Sequence, residues 1–266
     1  MYETTYHRPS SVDEAAAAFA KGSESKYLAG GHTLIPVMKQ RLASPSDVID
    51  LARIKELVGI EPTNDGIVIK AATTHYDVAQ SAIVKKAIPA LAYLASLIGD
   101  PAVRHRGTIG GSIANNDPAA DYPAALLALD ATVKTNKRNI KAGDFFKGLF
   151  TTALDDGEII TAVSFPVTGK AGYAKFPHPA SRFALTGVFV ARSPGGDVRV
   201  AATGASQNGV MRVPAIEAAL QANWSAAALD GVKISADGLM SDIHGSSDYR
   251  ANLIKVMAQR AVTAAG

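Results

Sequence analysis

AGGHTL, residues 29–34, ends a short apolar run with two consecutive glycines and a hydroxyl side chain, and TIGGSIANND, residues 108–117, repeats the device further along the chain. Adjacent glycines allow positive φ and remove the Cβ atoms that would hold a ligand off the backbone. The N–H groups of such a bend can then point at a phosphate, and a helix starting just beyond adds partial positive charge. Thr33 and Thr108 each add a hydroxyl donor. Paired glycines are also ordinary punctuation for a tight turn, so either loop alone leaves both readings open. Taken together they suggest two backbone segments approaching one charged object.

The familiar phosphate fingerprints are missing. GTIGGS does not fit the dinucleotide pattern of a glycine, one residue, a second glycine, two residues and a third, and no Walker-type loop with its lysine occurs. What remains is an unconventional diphosphate site built from separate loops. Downstream, Asn115, Asn116, Asp117 and Asp121 add polar groups. A carboxylate such as Asp121 does not bind phosphate directly but accepts hydrogen bonds from ribose or ribityl hydroxyls. The alternative is local: Asn-Asp-Pro forms turns, and Asp121 can cap the helix that follows it.

With 266 residues, 47% hydrophobic and 19% charged, the chain can bury the core of one large domain or two ordinary ones. A formal charge of +3, with no basic block among aromatics, argues against nucleic acid. No apolar run approaches the ~20 residues of a membrane helix, and MYETTYHRPSS lacks the features of a signal peptide; the expected location is the cytoplasm. There is no cysteine, which excludes disulfides, thiolate zinc, a cysteine nucleophile and an iron–sulfur cluster held by this chain. None of the six histidines pairs with another at helical spacing, so no metal site is expected. His32 stands apart because it lies inside the first glycine loop.

Along the chain, TTYHRP reads as a strand, followed by a helix capped by Ser10 or Ser11 and ended at Lys21-Gly22. KYLAGG, DVIDL and GIVIKAAT read as strands, with helical turns in TLIPVMKQRLA and near IKELVGI. This alternation favours a mixed α/β unit. Residues 75–99 are helix-rich and divided by Pro89; YPAALLALDATVKT gives a helix then a strand, and EIITAVSFPV a strand ending at Pro166. VTGKAGY reads as a joint. Beyond it, YAKFPHP, ALTGVFVARS and VRVAATGAS read as strands, and VPAIEAALQA, LDGVKISADGLM and DYRANLIKVMAQRAVTA as helices.

YHRPSSVDEA, YLAGGHTLIPVMKQRLASPSDVIDL and IGDPAVRHRGTIGGSIANNDPAADYPAALLALDATV together resemble the FAD-binding (medium) subunit of molybdenum-containing hydroxylases, the xanthine dehydrogenase and carbon monoxide dehydrogenase superfamily. GEIITAVSFP and GYAKFPHPASRFALTGVFVA extend the likeness over most of the chain. The fold it implies is α+β: an FAD-binding PCMH or vanillyl-alcohol-oxidase-like domain over residues 1–168, made of two α/β subdomains (about 1–73 and 74–168), then a C-terminal α+β domain over 169–266.

The resemblance also implies a cofactor site. Leu28, Ala29, Gly30, Gly31, His32, Thr33 and Leu34 would form the first loop on the FAD diphosphate, and Thr108, Ile109, Gly110 and Gly111 the second. A side chain added at Gly110 would then occupy the diphosphate's space. Asn115 and Asp121 would hold ribityl or ribose hydroxyls, and Ile98 and Ile160 would line the adenine or ring pocket. Lys175 would lie near the flavin ring as a cation favouring its anionic reduced form; read without the resemblance it is a solvated surface lysine. Arg182 stands before Phe183 where members often carry an acidic residue. The implied division of labour leaves no catalytic residue here: a large subunit holds molybdopterin and oxidises the substrate, an aldehyde, carbon monoxide, a purine or an N-heterocycle. A small subunit with two [2Fe-2S] clusters feeds electrons to noncovalent FAD, and NAD, oxygen, a quinone or a carrier accepts them, in a dimer of heterotrimers. The rivals are a stand-alone FAD-dependent oxidoreductase of the same fold and a noncatalytic nucleotide-binding module.

Overall fold

The computed structural model describes all 266 residues. The first unit holds β1 (Thr5–His7), α1 (Val12–Phe19), β2 (Ser25–Leu28), α2 (Leu34–Lys39) and β3 (Asp47–Asp50). Its three strands run parallel in the order β1-β3-β2. Ser11 caps α1 by accepting from the Glu14 N–H, as the sequence signal requires. Pro36 falls within the first turn of α2, where its missing N–H costs little. Tyr27 ties this unit to the next through its hydroxyl, which donates to the Gly157 carbonyl at 3.1 Å.

The second unit comprises β4 (Ile60–Thr63), β5 (Gly66–Lys70), α3 (His75–Gln80), α4 (Ala82–Ala87), α5 (Pro89–Ser96), α6 (Pro101–Arg104), α7 (Ile109–Asn115), α8 (Tyr122–Ala128), β6 (Thr132–Thr135), β7 (Asn139–Lys141), α9 (Ala142–Phe145), β8 (Phe146–Gly148), β9 (Thr151–Thr152) and β10 (Ile160–Pro166). Five strands form an antiparallel sheet in the order β4-β5-β10-β6-β7. This moves a predicted boundary. The GIVIKAAT strand pairs with β10 along Lys70↔Ala162 to Gly66↔Pro166, so the sheets divide before Ile60 and not near residue 73. Hydropathy reveals that a segment is a strand, but not which distant strand completes it.

The last unit holds β11 (Lys170–Pro177), β12 (Ala184–Arg192), β13 (Val198–Thr203), β14 (Met211–Arg212), α10 (Pro214–Ala222) and α11 (Ser247–Ala265), with the strands in a four-stranded antiparallel meander. VTGKAGY is therefore half strand. LDGVKISADGLM forms no α-helix; only its first residue belongs to a 3-10 turn, at Ala226–Leu229. Gly231 and Gly238 lower helical propensity there, and Gly238 sits at φ +72°.

Both faces of this meander are covered, which explains why β12 is an almost unbroken buried run. Val188, Val190, Val200 and Ala202 pack with Ile254, Met257 and Ala258 of α11. Tyr173, Phe189, Ala191 and Ala201 face the other way, into the core shared with α5 and α8. The alternation of period two thus aims one side of β11 at the second unit, and Lys175 follows Tyr173 on that side.

Candidate functional site

The three units meet around one cavity of about 710 Å³, within the ~300–1,000 Å³ typical of ligand clefts. Of the residues assigned from sequence, Leu28 to Leu34, Ile98, Thr108, Gly110, Gly111, Asn115, Asp121, Ile160 and Lys175 line it. Ile109 does not: its side chain is wholly buried in the core.

The two glycine bends converge. A Cβ at Gly30 would strike the Arg106 carbonyl and come within 2.7 Å of the Gly107 Cα; one at Gly111 would lie 3.5 Å from the Ala29 Cβ. Their hydrogen bonding differs sharply. The five N–H groups from Gly30 to Leu34 make no hydrogen bond within the chain. Gly31 among them takes the left-handed conformation at φ +78°, the backbone geometry from which anion-attracting nests are built. Thr33 precedes α2 without forming a side-chain cap, so its hydroxyl is also uncommitted.

The second loop is bonded within the fold. The Ile109 N–H donates to the Thr73 carbonyl at 3.2 Å and the Gly110 N–H to the Ala71 carbonyl at 2.8 Å. The Gly111 N–H is capped by Thr108 Oγ1 at 3.1 Å. Here the expectation for Gly110 needs correcting. A Cβ at that position would meet Ala71 Cβ at 2.6 Å and Ala71 O at 2.7 Å. The space a Gly110 side chain would take is therefore filled by Ala71, in the packing of α7 on the end of β5, while Gly110 itself lines the cavity. Asn116 is likewise structural. It takes the left-handed conformation that ends α7, and its Nδ2 donates to the Gly148 and Thr151 carbonyls, both at 2.8 Å.

Asp121 does not cap α8. Its carboxylate is 4% exposed and accepts from the Tyr173 hydroxyl at 2.5 Å and the Lys175 ammonium at 3.0 Å. Burial pushes the Asp121 carboxyl above the usual carboxylate range, opposed by Lys175 and Tyr173. Lys175 is not a surface lysine, since its side chain is 3% exposed. Nor is it a bare cation: it is ion-paired, and a second N–H reaches the Leu97 carbonyl at 3.3 Å. One of its three N–H groups is left for a ligand.

Several further residues line the cavity, of which the sequence marks only Arg182 and Phe183, through the resemblance. His75 is 5% exposed, its Nδ1 has no partner, and burial drives its pKa down to about 3, so it is neutral at pH 7. Gly107 makes room for it: a Cβ there would stand 2.6 Å from His75 Nε2. Phe150 and Phe183 line the cavity with 60% and 48% exposure. Arg182, at φ +62° on the β11–β12 hairpin, lines it too. Glu158, also in the lining, binds Arg138 at 2.9 Å and Thr135 Oγ1 at 2.6 Å; the Arg138 hydrogen bonds hold its carboxyl down at about 2.

The arrangement offers unspent N–H donors for an anion, a buried carboxylate for hydroxyls, and apolar walls for flat rings. A dinucleotide carrying a flavin presents those three chemistries, and the residues fit it. No group of three or more metal-ligating side chains is present, and no helix is long and apolar enough to cross a membrane.

Comparison with known proteins agrees. Residues 2–168 match the family described as the FAD binding domain in molybdopterin dehydrogenase. The carbon monoxide dehydrogenase medium chain of Hydrogenophaga pseudoflava is 36% identical, covering 98% of this chain and 96% of that one. The nicotine 6-hydroxylase medium subunit of Paenarthrobacter nicotinovorans is also 36% identical, with the same coverage. Among solved structures, reconstituted CO dehydrogenase from Oligotropha carboxidovorans superposes with a TM-score of 0.89 at 31% identity, covering 99% of this chain and 97% of that one. Quinoline 2-oxidoreductase from Pseudomonas putida 86 gives 0.83 at 27%, covering 99% and 96%. The chain belongs to the FAD-binding medium-subunit family of molybdenum hydroxylases and is an oxidoreductase subunit.

Proposed function

We propose that this chain is the electron-output subunit of a three-subunit molybdenum hydroxylase, with FAD bound noncovalently in the cavity between its units. The diphosphate lies on the free N–H groups of Gly30 to Leu34, backed by the second loop at Gly107 and Gly111. The ribityl or ribose hydroxyls meet Asp121 and Asn115, and the rings lie among Ile98, Ile160, Lys175 and Phe183. Bound there, the flavin supplies the capacity to accept electrons singly and release them in pairs. This chain's residues hold it, keep its diphosphate neutralised and exclude water from its apolar flank.

The observation carrying this reading is the run of five unspent N–H groups on residues that line a cavity of dinucleotide size. The relatives named above are a medium chain and a medium subunit, which supports partner subunits for this chain; on our reading these are a large molybdopterin subunit and a small subunit with two [2Fe-2S] clusters, in a dimer of heterotrimers in the cytoplasm. The substrate belongs to the class of carbon monoxide, aldehydes or N-heterocycles, and NAD, oxygen, a quinone or a carrier removes the electrons. Affinity purification of the chain from its native source tests this. A molybdenum protein and a cysteine-rich iron–sulfur protein should copurify in equal amounts; recovery of the chain alone, oxidising a substrate with its own flavin, would refute it.

A further inference from the structure

Tyr173 is absent from the cavity wall, yet its hydroxyl is the buried partner of a group that lines it. Three observations show that this hydroxyl is placed, and not merely tolerated. Tyr173 and Lys175 lie two residues apart on β11, on the same side of the strand. Their donors take the two oxygens of the same carboxylate, Oδ1 at 2.5 Å and Oδ2 at 3.0 Å. On the neighbouring strand the residue facing Lys175 is Gly187, where a Cβ would lie 2.5 Å from the Tyr173 oxygen. β12 gives up a side chain at that point to leave space for the hydroxyl. Packing against Phe189, with ring centroids 6.0 Å apart, needs only the ring and would be met by phenylalanine.

We infer that Tyr173 is a positioning residue for the cofactor: its hydroxyl aims Asp121 at a ligand hydroxyl and shares the Asp121 charge that otherwise falls on Lys175. The inference rests on the proposed placement of FAD in this cavity. Inside a protein such a bond is electrostatically stronger than in water, and an unpartnered buried carboxylate oxygen is costly. Without the hydroxyl, Oδ1 has no partner, the carboxylate is free to turn toward the ammonium, and the negative charge beside the flavin is less compensated. Adding electrons to the flavin then becomes harder. Replacing Asp121 by asparagine does the reverse, because it removes the negative charge and leaves the ammonium uncompensated.

The test uses the full-length chain, with FAD titrated into the apoprotein and the bound flavin's midpoint potential measured by dye-equilibrated reductive titration. Tyr173→Phe should weaken FAD binding about tenfold and shift the potential to more negative values, whereas Asp121→Asn should shift it to more positive values. A purely structural tyrosine would lower the melting temperature without those opposed shifts. If Tyr173→Phe leaves affinity within about twofold and the potential unmoved, the inference is overturned. Gly31→Ala separates the two levels: if it also leaves FAD affinity unchanged, the cavity assignment itself fails, and this inference with it.

Discussion

The two glycine pairs look alike as letters and are put to different uses. In the first loop the backbone from Gly30 to Leu34 spends none of its N–H groups on the fold; in the second, Ile109 and Gly110 donate to the Thr73 and Ala71 carbonyls. A missing Cβ therefore has two meanings here. At Gly30 it lets one loop lie against the other, and at Gly110 it lets a helix sit on the end of a strand. The contrast separates binding from support: the first loop presents donors, and the second is a buttress.

The largest effect that would sharpen this contrast is expected at the buttress. Gly110→Val should cost ~3 kcal/mol of stability, because the added side chain overlaps Ala71 backbone with no flexible neighbour to yield. Thermal unfolding without FAD checks it; a stable apoprotein that has lost only FAD affinity would return Gly110 to the binding surface. Gly31→Ala comes next. Holding alanine at φ +78° costs ~1–2 kcal/mol, and relaxing the bend disperses the free N–H groups, so FAD affinity should fall about tenfold in a protein that still folds.

His75, packed on Gly107, gives the buttress a pH dependence. Burial lowers its pKa from 6.5 to about 3, so below pH 6.5 the unfolded chain takes up a proton that the folded chain refuses. Stability is thus full above that pH and lost on acidification, by about 1 kcal/mol between pH 6.5 and roughly pH 5.5. Glu158, held down from 4.5 to about 2 chiefly by Arg138, adds a separate loss only at lower pH, beginning near 4.5 and running down towards 2. Denaturant titrations of the wild type and His75→Gln across this range should show the shallower slope in the variant; parallel slopes would contradict a neutral buried histidine. The smallest effect is expected for Thr108→Ala. Losing the cap on Gly111 should cost ~1 kcal/mol while FAD affinity, measured by titration, stays nearly constant. A drop in affinity beyond the loss of stability would erase the distinction between the loops.

How much of this was legible in the residues alone varies with the range of the interaction involved. Local signals read well: Ser11 before Asp13-Glu14 marked a helix start, and the apolar runs of β10, β12 and β13 marked strands. Long-range pairing does not: the sequence places β4 and β5 with the first unit, although β4 pairs with β5 and β5 pairs with the distant β10. LDGVKISADGLM carries apolar residues at a helical spacing, but its glycines and local polar side chains win over the periodicity. In the site, the glycine loops were visible as letters, whereas which of their N–H groups are free depends on Thr73 and Ala71, distant in sequence. Lys175 was legible only through resemblance, and its pairing with Asp121 followed from neither composition nor spacing. Tyr173 and His75 gave no sign at all, because nothing in the one-dimensional pattern distinguishes a buried hydroxyl or imidazole with a partner to find from one that merely fills space.

Amide hydrogen exchange, compared with and without saturating FAD, tests the central claim most directly. The account predicts that the amides of residues 30–34, free in the fold, become strongly protected on binding. Those of residues 109 and 110, already donating to carbonyls, should change little. Protection appearing at 109–110 with none at 30–34 would contradict it.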